Sequence, residues 1–328
     1  MNTTALLVLD ALLVFSLLSL AVAALATHDA RRSVILFMAF GLVLAVAWGR
    51  LMAPDVALAE AAIGAGLSGA LLLAAVHEQP RRALSGDSRP GHNRAHSSFK
   101  VALEWAVTLL CVAVAGVLAW ALAAAFDRTP KDVLAQAVSD NLAASGVSNP
   151  VTAVLLNFRA YDTLLELAVL LTAVLGIMAM GPERRGYRAA GPVFDGLVGW
   201  LVPVLILMAG YLLWVGAHAP GGAFQAGATL AAAGVVLRLA GQRSAGLPPW
   251  RLLHLTVAAG VVMFLAVGLS LLALGRPFLG YPPAWAGALI LLIETAAMLA
   301  IAATLVLAFL GGRPAESHLN FSKEKRQC

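Results

Sequence analysis

The sequence predicts an all-α, polytopic membrane helix bundle with about nine transmembrane helices. Hydrophobic residues make up 61% of the 328 residues, charged residues make up 12%, and the mean hydropathy is +0.87. A soluble domain is about half apolar and about a quarter charged. Nine apolar stretches, most of them near the roughly 20 residues that a spanning helix needs, fill most of the chain. No polar stretch between them is long enough to form a separate enzymatic domain.

The predicted spans follow from the lengths of these apolar stretches. They are 6–26, 33–49, 56–76, 101–126, 161–180, 193–216, 224–241, 252–274 and 284–310. The second and the seventh are short. The first stretch has no basic segment before it and no small-residue cleavage site, so we expect a permanent helix rather than a signal peptide.

The distribution of basic residues between alternate loops predicts the orientation. Most of the 22 Lys and Arg residues fall on one side of the membrane, and this side is cytoplasmic by the positive-inside rule. With nine spans, the N-terminus is then outside and the C-terminus is cytoplasmic. The basic residues predicted on the outer side are Arg50, Arg128, Lys131, Arg159 and Arg276.

Two loops and the tail have distinct compositions. Residues 81–100 are polar, basic and rich in helix breakers, which predicts a flexible cytoplasmic linker. Residues 127–150 carry apolar residues at helical spacing after Pro130, which predicts a short amphipathic helix on the outer surface. The apolar positions of that helix are Val133, Leu134, Ala137, Val138 and Leu142. Residues 313–328 are predicted to form a cytoplasmic tail.

Glu60 is the first of three carboxylates whose position within a span suggests a role in ion movement. Pro54 and Asp55 predict a helix start with Asp55 as its cap. Glu60 then lies about 7–8 Å deeper, at 1.5 Å per residue. Gly64 and Ser68 continue its face at four-residue steps and form a small, polar track. Glu60 is either a protonatable relay group or an interfacial carboxylate stabilised by the helix N-terminus.

Glu166 is the second carboxylate, and it shares a helix face with Asp162 and Arg159. Asp162 lies near the helix start and can pair with Arg159. Because two carboxylates one turn apart raise at least one pKa, Glu166 suits a group that takes up and releases a proton near neutral pH. The alternative is a stable first-turn network without a transport role.

Glu294 is the third and deepest carboxylate, at least ten residues from either end of its span. No basic residue lies near it in sequence, so it is expected to be protonated and to donate a hydrogen bond across helices, or simply to pack as a neutral group. His218 precedes PGGAFQAG in an outer turn, where a single histidine has a supporting role at most. A charge at the bilayer centre costs about 2.5–3.5 kcal/mol on insertion scales.

Several kinds of chemistry find no support in the sequence. No Lys falls within a predicted span, so a pump core that alternates Lys and acidic groups cannot be built from this chain alone. There is no Walker A pattern, no metal-spaced His/Cys set and no nucleophile elbow. We therefore expect no catalytic residues, no cofactor, no metal and no nucleic-acid partner, and a transporter subunit rather than an enzyme.

Three segments resemble known domains in order. The APDVALAEAAIGAGL core of the first three spans resembles the MbhD-type domain of membrane-bound hydrogenases and Mrp antiporters. The run VLLNFRAYDTLLE resembles the MbhE-type domain. Residues 193–310, with GAHAPGGAFQAG, resemble the MrpB (MnhB) subunit, although Ala223 and Ala226 stand where that family favours Gly.

The resemblance implies five regions. These are an MbhD-like three-helix domain over 1–80, the linker over 81–100, an MbhE-like two-helix domain with the outer amphipathic helix over 101–182, an MrpB-like four-helix domain over 193–312, and the tail over 313–328.

It also implies a function and partners. The chain would be a subunit of an Mrp-type Na⁺/H⁺ antiporter in a bacterial or archaeal cytoplasmic membrane, with Glu60 and Glu166 on the acidic positions of the two motifs. The partners would be other Mrp-type subunits, including large antiporter-like subunits and a small NuoK-like subunit. A subunit of a complex-I-like, redox-driven ion pump and a purely structural assembly subunit remain alternatives.

Overall fold

Helices account for all the regular secondary structure in the described part of the chain. A computed structural model describes residues 3–84, 96–126, 133–179, 191–242 and 245–312. Much of the predicted linker 81–100, the start of the predicted outer segment including Pro130, and the predicted tail 313–328 lie outside the described residues.

The helices are separated by short turns or by changes in helix type. Their bounds are α1 Thr3–Ala26, α2 Ala30–Arg50, α3 Pro54–Ala59, α4 Ser68–Leu84, α5 His96–Phe126, α6 Val133–Asn141, α7 Pro150–Ala153, α8 Ala160–Ala179, α9 Pro192–Val215, α10 Ala223–Leu239, α11 Trp250–Ala273 and α12 Ala286–Leu310. A π-helical segment, Glu60–Leu67, joins α3 to α4, and a second, Val154–Phe158, follows α7. A short 3₁₀ turn occupies Leu142–Ala144.

Eight helical segments in these ranges are long and apolar enough to cross a bilayer, which identifies a polytopic membrane bundle. The seventh predicted span, 224–241, corresponds to α10, which has only 17 residues. At 1.5 Å per residue α10 is about 25 Å long, whereas the hydrocarbon core is about 30 Å thick. The helix is short because the preceding PGG sequence forms a turn and α10 begins only after Gly222.

The helix α12 forms the centre of the described bundle, with neighbours α8, α10 and α11. Small residues allow the close approach. A Cβ added to Gly227 of α10 would lie 2.8 Å from Ile301 Cγ2 of α12, and one added to Gly260 of α11 would lie 3.3 Å from Ala297 Cα. Because lipid removes most of the hydrophobic drive between helices, such close packing supplies much of the stabilisation.

The N-terminal helices and α8 pack against this centre through separate apolar clusters. Leu67 contacts Val235 of α10 and Phe309 of α12, so the first three spans reach the last four. On α8, Val174 and Met178 form a cluster with residues of α11 and α12. The helices α1 and α2 are joined near one end by Asp10 and Arg50, whose Oδ1 and Nε atoms are 2.9 Å apart.

Residues 78–140 form a second compact unit that contains α5 and α6. The apolar residues between 105 and 123 of α5 are exposed, as expected of a helix that contacts lipid or another protein chain. A helix, α6 Val133–Asn141, lies within the segment where the amphipathic helix is predicted. Of its predicted apolar face, Val133 and Leu134 are exposed and Val138 is half-buried.

Candidate functional site

The turn between α9 and α10, residues 216–222 and hereafter the PGG turn, folds back onto the end of α9. Gly222 N–H donates to Leu212 O at 2.9 Å, and Gly222 has a φ of +107°. A Cβ on Gly216 would lie 2.6 Å from Gly222 Cα, and one on Gly221 would lie 2.5 Å from Leu212 O. The glycines are therefore required by the backbone path, which brings the start of α10 next to α12.

Asp55 holds this turn from the N-terminal region, and its predicted role as a helix cap is wrong. The residue before α3 is Ala53, which makes no side-chain cap bond, and Pro54 opens the helix. Asp55 lies inside the first turn, so its side chain is free to reach across to the PGG turn. Its Oδ1 accepts a hydrogen bond from Gly221 N at 3.0 Å, and its backbone carbonyl accepts one from Gln225 Nε2 at 3.1 Å.

The segment at residues 148–152 holds the other side of the PGG turn. Asn149 caps α7 through its Oδ1, and its Nδ2 donates to Gly216 O and Ala219 O at 3.2 and 3.0 Å. Thr152 Oγ1 donates to Gly216 O at 2.6 Å. The turn is thus fixed by two segments that lie far from it in the chain, one around Asp55 and one around Asn149.

Glu294 of α12 lies beneath this turn, at a cavity of about 240 Å³. The side chain is 3% exposed. Its Oε1 accepts a hydrogen bond from Ala223 N at 3.3 Å, and its Oε2 is buried and has no hydrogen-bond partner among the described residues. The predicted hydrogen bond donated across helices is therefore replaced by one that Glu294 accepts from the start of α10.

The cavity is lined from each of the packed regions of the bundle. Asp55 and Ala59 come from α3, Thr152 and Thr163 from α7 and α8, and Gln225 from α10. The other lining residues are Val56, Val151, Leu155, Leu156, Gly221, Gly222, Ala223, Phe224, Phe264, Glu294 and Ala297. Three stretches that are remote in sequence therefore meet at one buried carboxylate.

Glu60 lies outside this cavity, at the start of the first π-helical segment. It is half-buried. A Cβ on Gly64 would be 2.2 Å from Glu60 Oε1, and one on Gly41 of α2 would be 3.2 Å from the same atom. The carboxyl therefore occupies the space left by two glycines, as the predicted track with Gly64 requires. Ser68, the predicted continuation of that track, opens α4.

Glu166 also lies outside the cavity, on the exposed side of α8. The predicted ion pair between Arg159 and Asp162 is present, one turn before it. Arg159 ends the second π-helical segment, and Thr163 Oγ1 donates to Leu155 O at 2.6 Å within that segment. The two π-helical segments thus lie beside Glu60 and beside the Arg159–Asp162 pair, and such segments are frequent at functional sites.

His218 lies in the PGG turn but does not line the cavity. Its Nδ1 is 3.0 Å from Ser148 Oγ, and its ring packs edge-on against Trp214 at a centroid distance of 6.0 Å. These contacts agree with a supporting role in holding the turn. The three predicted carboxylates therefore lie at three places, and only Glu294, with Asp55, belongs to the cavity.

Comparison with known proteins places two parts of the chain in described families. Residues 15–81 match the MbhD family, described as a component of MBH, and residues 193–313 match a domain related to the MnhB subunit of Na⁺/H⁺ antiporter. A chain in the structure of the Mrp complex from Dietzia sp. DQ12-45-1b has a similar fold, with a TM-score of 0.66 and 23% identity over 93% of this chain. The chain therefore combines an MbhD-like region with a domain related to MnhB.

The chain covers very different shares of the solved chains that it matches. It spans 35% of the matched Dietzia chain. A chain in the structure of the membrane-bound sulfane sulfur reductase (MBS), an archaeal respiratory membrane complex, matches with a TM-score of 0.52 and 26% identity. That match covers 65% of this chain and 100% of the other chain. No curated protein matches by sequence.

The two family matches leave residues 82–192 between them, so the MbhE-like resemblance of 101–182 stays a prediction. The sequence did not predict four residues of the site: Asn149, Thr152, Thr163 and Gln225. Two local signals were present. Asn149–Pro150 is a helix-start pair, and Gln225 belongs to the PGGAFQ sequence. Neither signal reveals which distant segment the side chain contacts.

Proposed function

We propose that this chain is a membrane subunit of a multi-subunit Mrp-type antiporter that exchanges cytoplasmic Na⁺, or another monovalent cation, for external protons. It contributes protonatable residues to the ion and proton path: Glu60, Glu166, Asp162 and Glu294. The exchange is driven by the proton gradient across a bacterial or archaeal cytoplasmic membrane. Large antiporter-like subunits and a small NuoK-like subunit complete the path.

The observation that carries this proposal is the position of Glu294 inside the domain related to MnhB. It is a buried carboxylate with one oxygen that has no partner among the described residues, at the place where the MbhD-like region, α8 and the MnhB-related helices meet. A structural subunit has no need for such a group, because burying a polar atom without a partner costs about 1–3 kcal/mol. Ionisable residues within membrane spans commonly mark ion pathways.

The position of Glu166 supports a path that continues into partner subunits. Its side chain is exposed on α8, a helix that is long and apolar enough to span the bilayer. A charged side chain facing lipid is costly, so a polar group or water in a partner subunit is expected beside it.

The test is transport by the assembled complex in everted membrane vesicles. Replacing Glu60 or Glu166 by Gln is expected to abolish the Na⁺-dependent dissipation of a preformed pH gradient. Asp29→Asn is the matched control, because Asp29 lies in the turn before α2 and an asparagine caps a helix equally well. Two assembled Gln variants with wild-type transport would exclude both residues as carriers and would favour a purely structural subunit.

A subunit of a redox-driven ion pump is the second candidate function. Two observations favour it: the match of residues 15–81 to the MbhD family of MBH, and the structural likeness to a chain of the archaeal respiratory complex. Purification of the native complex distinguishes the two candidates. Iron–sulfur or flavin subunits that co-purify in stoichiometric amounts would favour the redox-driven pump.

A further inference from the structure

We propose that the cavity beneath the PGG turn binds one monovalent positive charge at Glu294, either a proton on its Oε2 or an alkali cation beside it. This inference rests on the proposed function and assigns that function a binding site. The shared chemistry is a small, singly charged cation that a carboxylate oxygen accepts directly.

Glu294 needs a positive charge that the described chain does not supply. The side chain is 3% exposed, and Oε2 has no hydrogen-bond partner among the described residues. An ionised carboxylate without a partner is strongly disfavoured away from water. None of the described residues that line the cavity is a Lys, an Arg or a His. The charge must therefore come from a ligand, which is either a bound proton or a cation.

The remaining polar groups of the lining present oxygen acceptors. Thr152 Oγ1 and Thr163 Oγ1 already donate their protons to Gly216 O and Leu155 O. A hydroxyl that has donated its proton keeps its lone pairs and acts only as an acceptor. Gln225 Nε2 donates to the backbone carbonyl of Asp55. The lining is mostly apolar, and the oxygen acceptors among its few polar groups suit a hard cation, which takes oxygen ligands.

The cavity is large enough for a cation with some of its water. Its volume is about 240 Å³, whereas a water molecule occupies about 30 Å³ of the liquid. Buried water requires two to four polar partners, and the two hydroxyls and two carboxyls of the lining provide them. Asp55 is the other carboxyl side chain among the described lining residues.

The N-terminus of α10 allows Glu294 to release its bound proton or cation as well as to bind it. Glu294 Oε1 accepts from Ala223 N, the first N–H of this 17-residue helix. The positive end of the helix dipole stabilises a negative charge at that oxygen. One oxygen is therefore stabilised as part of a carboxylate, while the other is open to the ligand. A site that both binds and releases a cation needs such a balance.

The test is infrared difference spectroscopy on the purified, assembled complex. The complex is perfused alternately with NaCl and choline chloride at one pH, and then stepped in pH without Na⁺. The wild type is expected to show a carboxyl band that E294Q lacks and that T295V retains. Thr295 is the matched control, because it neighbours Glu294 on α12, donates to Leu291 O of its own helix and does not line the cavity.

The exchange of Na⁺ for choline and the pH step together identify the ligand. A Glu294 band that disappears on Na⁺ addition assigns the site to an alkali cation that displaces the proton, and a band that responds to pH alone assigns it to the proton. If E294Q shows the same difference spectra as the wild type in both arms, the site is refuted. If E294Q does not assemble, E294D replaces it, because its shorter side chain should shift the band. An unshifted band in E294D then also refutes the site.

The failure of this inference is distinguishable from failure of the proposed function. A wild-type complex that shows the Glu294 band, but no cation-dependent proton movement in proteoliposomes, contradicts antiport and leaves the site in place. A complex that transports normally without a Glu294 band contradicts the site and leaves antiport in place.

Discussion

The backbone N–H of Gly221 donates to Asp55 Oδ1 at 3.0 Å, across 166 positions of the chain. A carboxylate from the first MbhD-like helices therefore fixes the turn that covers the buried Glu294 of the MnhB-related domain. Because both Gly221 and Asp55 also line the cavity, the site depends on the two regions being held together. The first prediction concerns this bond.

Replacing Asp55 by Ala is expected to lower the stability of the complex by about 1–3 kcal/mol, because the Gly221 N–H loses its acceptor in a largely buried setting. Asp55→Asn keeps an oxygen acceptor and loses only the charge, so its cost should be about half of that. The measurement is the temperature at which the purified complex loses its monodisperse gel-filtration peak. Asp140→Asn, on an exposed position of α6, is the control. Equal stability of the Ala and Asn variants would contradict the importance of this hydrogen bond.

Gly222 is predicted to tolerate no side chain. Its φ of +107° with a ψ of −174° belongs to a region that only glycine commonly adopts, and an added Cβ would lie 3.0 Å from Glu294 Oε1. Gly222→Ala should therefore cost about 1–3 kcal/mol and displace the carboxyl. Gly210→Ala, in α9 with open space around its Cβ, should be neutral or slightly stabilising. Thermal stability and the infrared band of Glu294 measure both effects, and a Gly222→Ala complex that matches wild type in both would contradict this account.

The membrane spans could be predicted closely from the sequence, whereas the site could be predicted only in part. The apolar length of a segment is visible in sequence and sets its span, so the predicted bounds agree with the helices to within a few residues at most ends. The depth of Glu294 could also be predicted, because long apolar stretches precede and follow it in the sequence. The direction in which a side chain points around its helix depends on the neighbouring helices. For this reason Glu166, predicted as a similar carboxylate, lies on the exposed side of α8.

The role of Asp55 shows a second reason why the site could be predicted only in part from the sequence. Its position after Pro54 resembles a helix cap, and local rules predict only local partners. The actual partner, Gly221, is brought close by the packing of the first spans against α10 and α12. Contacts between distant segments also explain why α10 is short. Asp55 and Asn149 set the backbone path of the PGG turn, after which α10 begins.

Tyr281 is predicted to make stability depend on pH in the alkaline range. It lies in the turn between α11 and α12, and burial raises the pKa of its phenol above the usual value of 10.0. The folded chain then keeps the proton where the unfolded chain loses it. The stabilisation is therefore present below pH 10 and is lost as the pH rises further.

The variant Tyr281→Phe tests this dependence and one further consequence. The hydroxyl is buried and has no hydrogen-bond partner among the described residues, so its removal should leave stability at neutral pH unchanged or raise it slightly. The loss of thermal stability above pH 10 should be smaller in this variant than in wild type. Tyr211→Phe, at an exposed position on α9, controls for the substitution itself. An identical alkaline loss in wild type and Tyr281→Phe would exclude Tyr281 as its source.

The ion pair between Asp10 and Arg50 joins α1 and α2 on the side predicted to be outer, and we predict that it stabilises their contact. Arg50 Nη2 donates to Asp10 Oδ2 at 3.0 Å, whereas Nε lies 2.9 Å from Oδ1 in ionic contact but makes no hydrogen bond among the described residues. Both side chains are partly exposed, which limits the coupling energy to about 0.5–1 kcal/mol.

A double-mutant cycle with Asp10→Asn and Arg50→Gln measures this coupling as shifts in the thermal stability of the complex. Each single variant leaves one charge without its partner near the hydrocarbon region, whereas the double variant removes both charges. The two single losses should therefore add up to more than the loss in the double variant. If instead the two single shifts add up to the double shift, the ion pair does not contribute to holding α1 against α2.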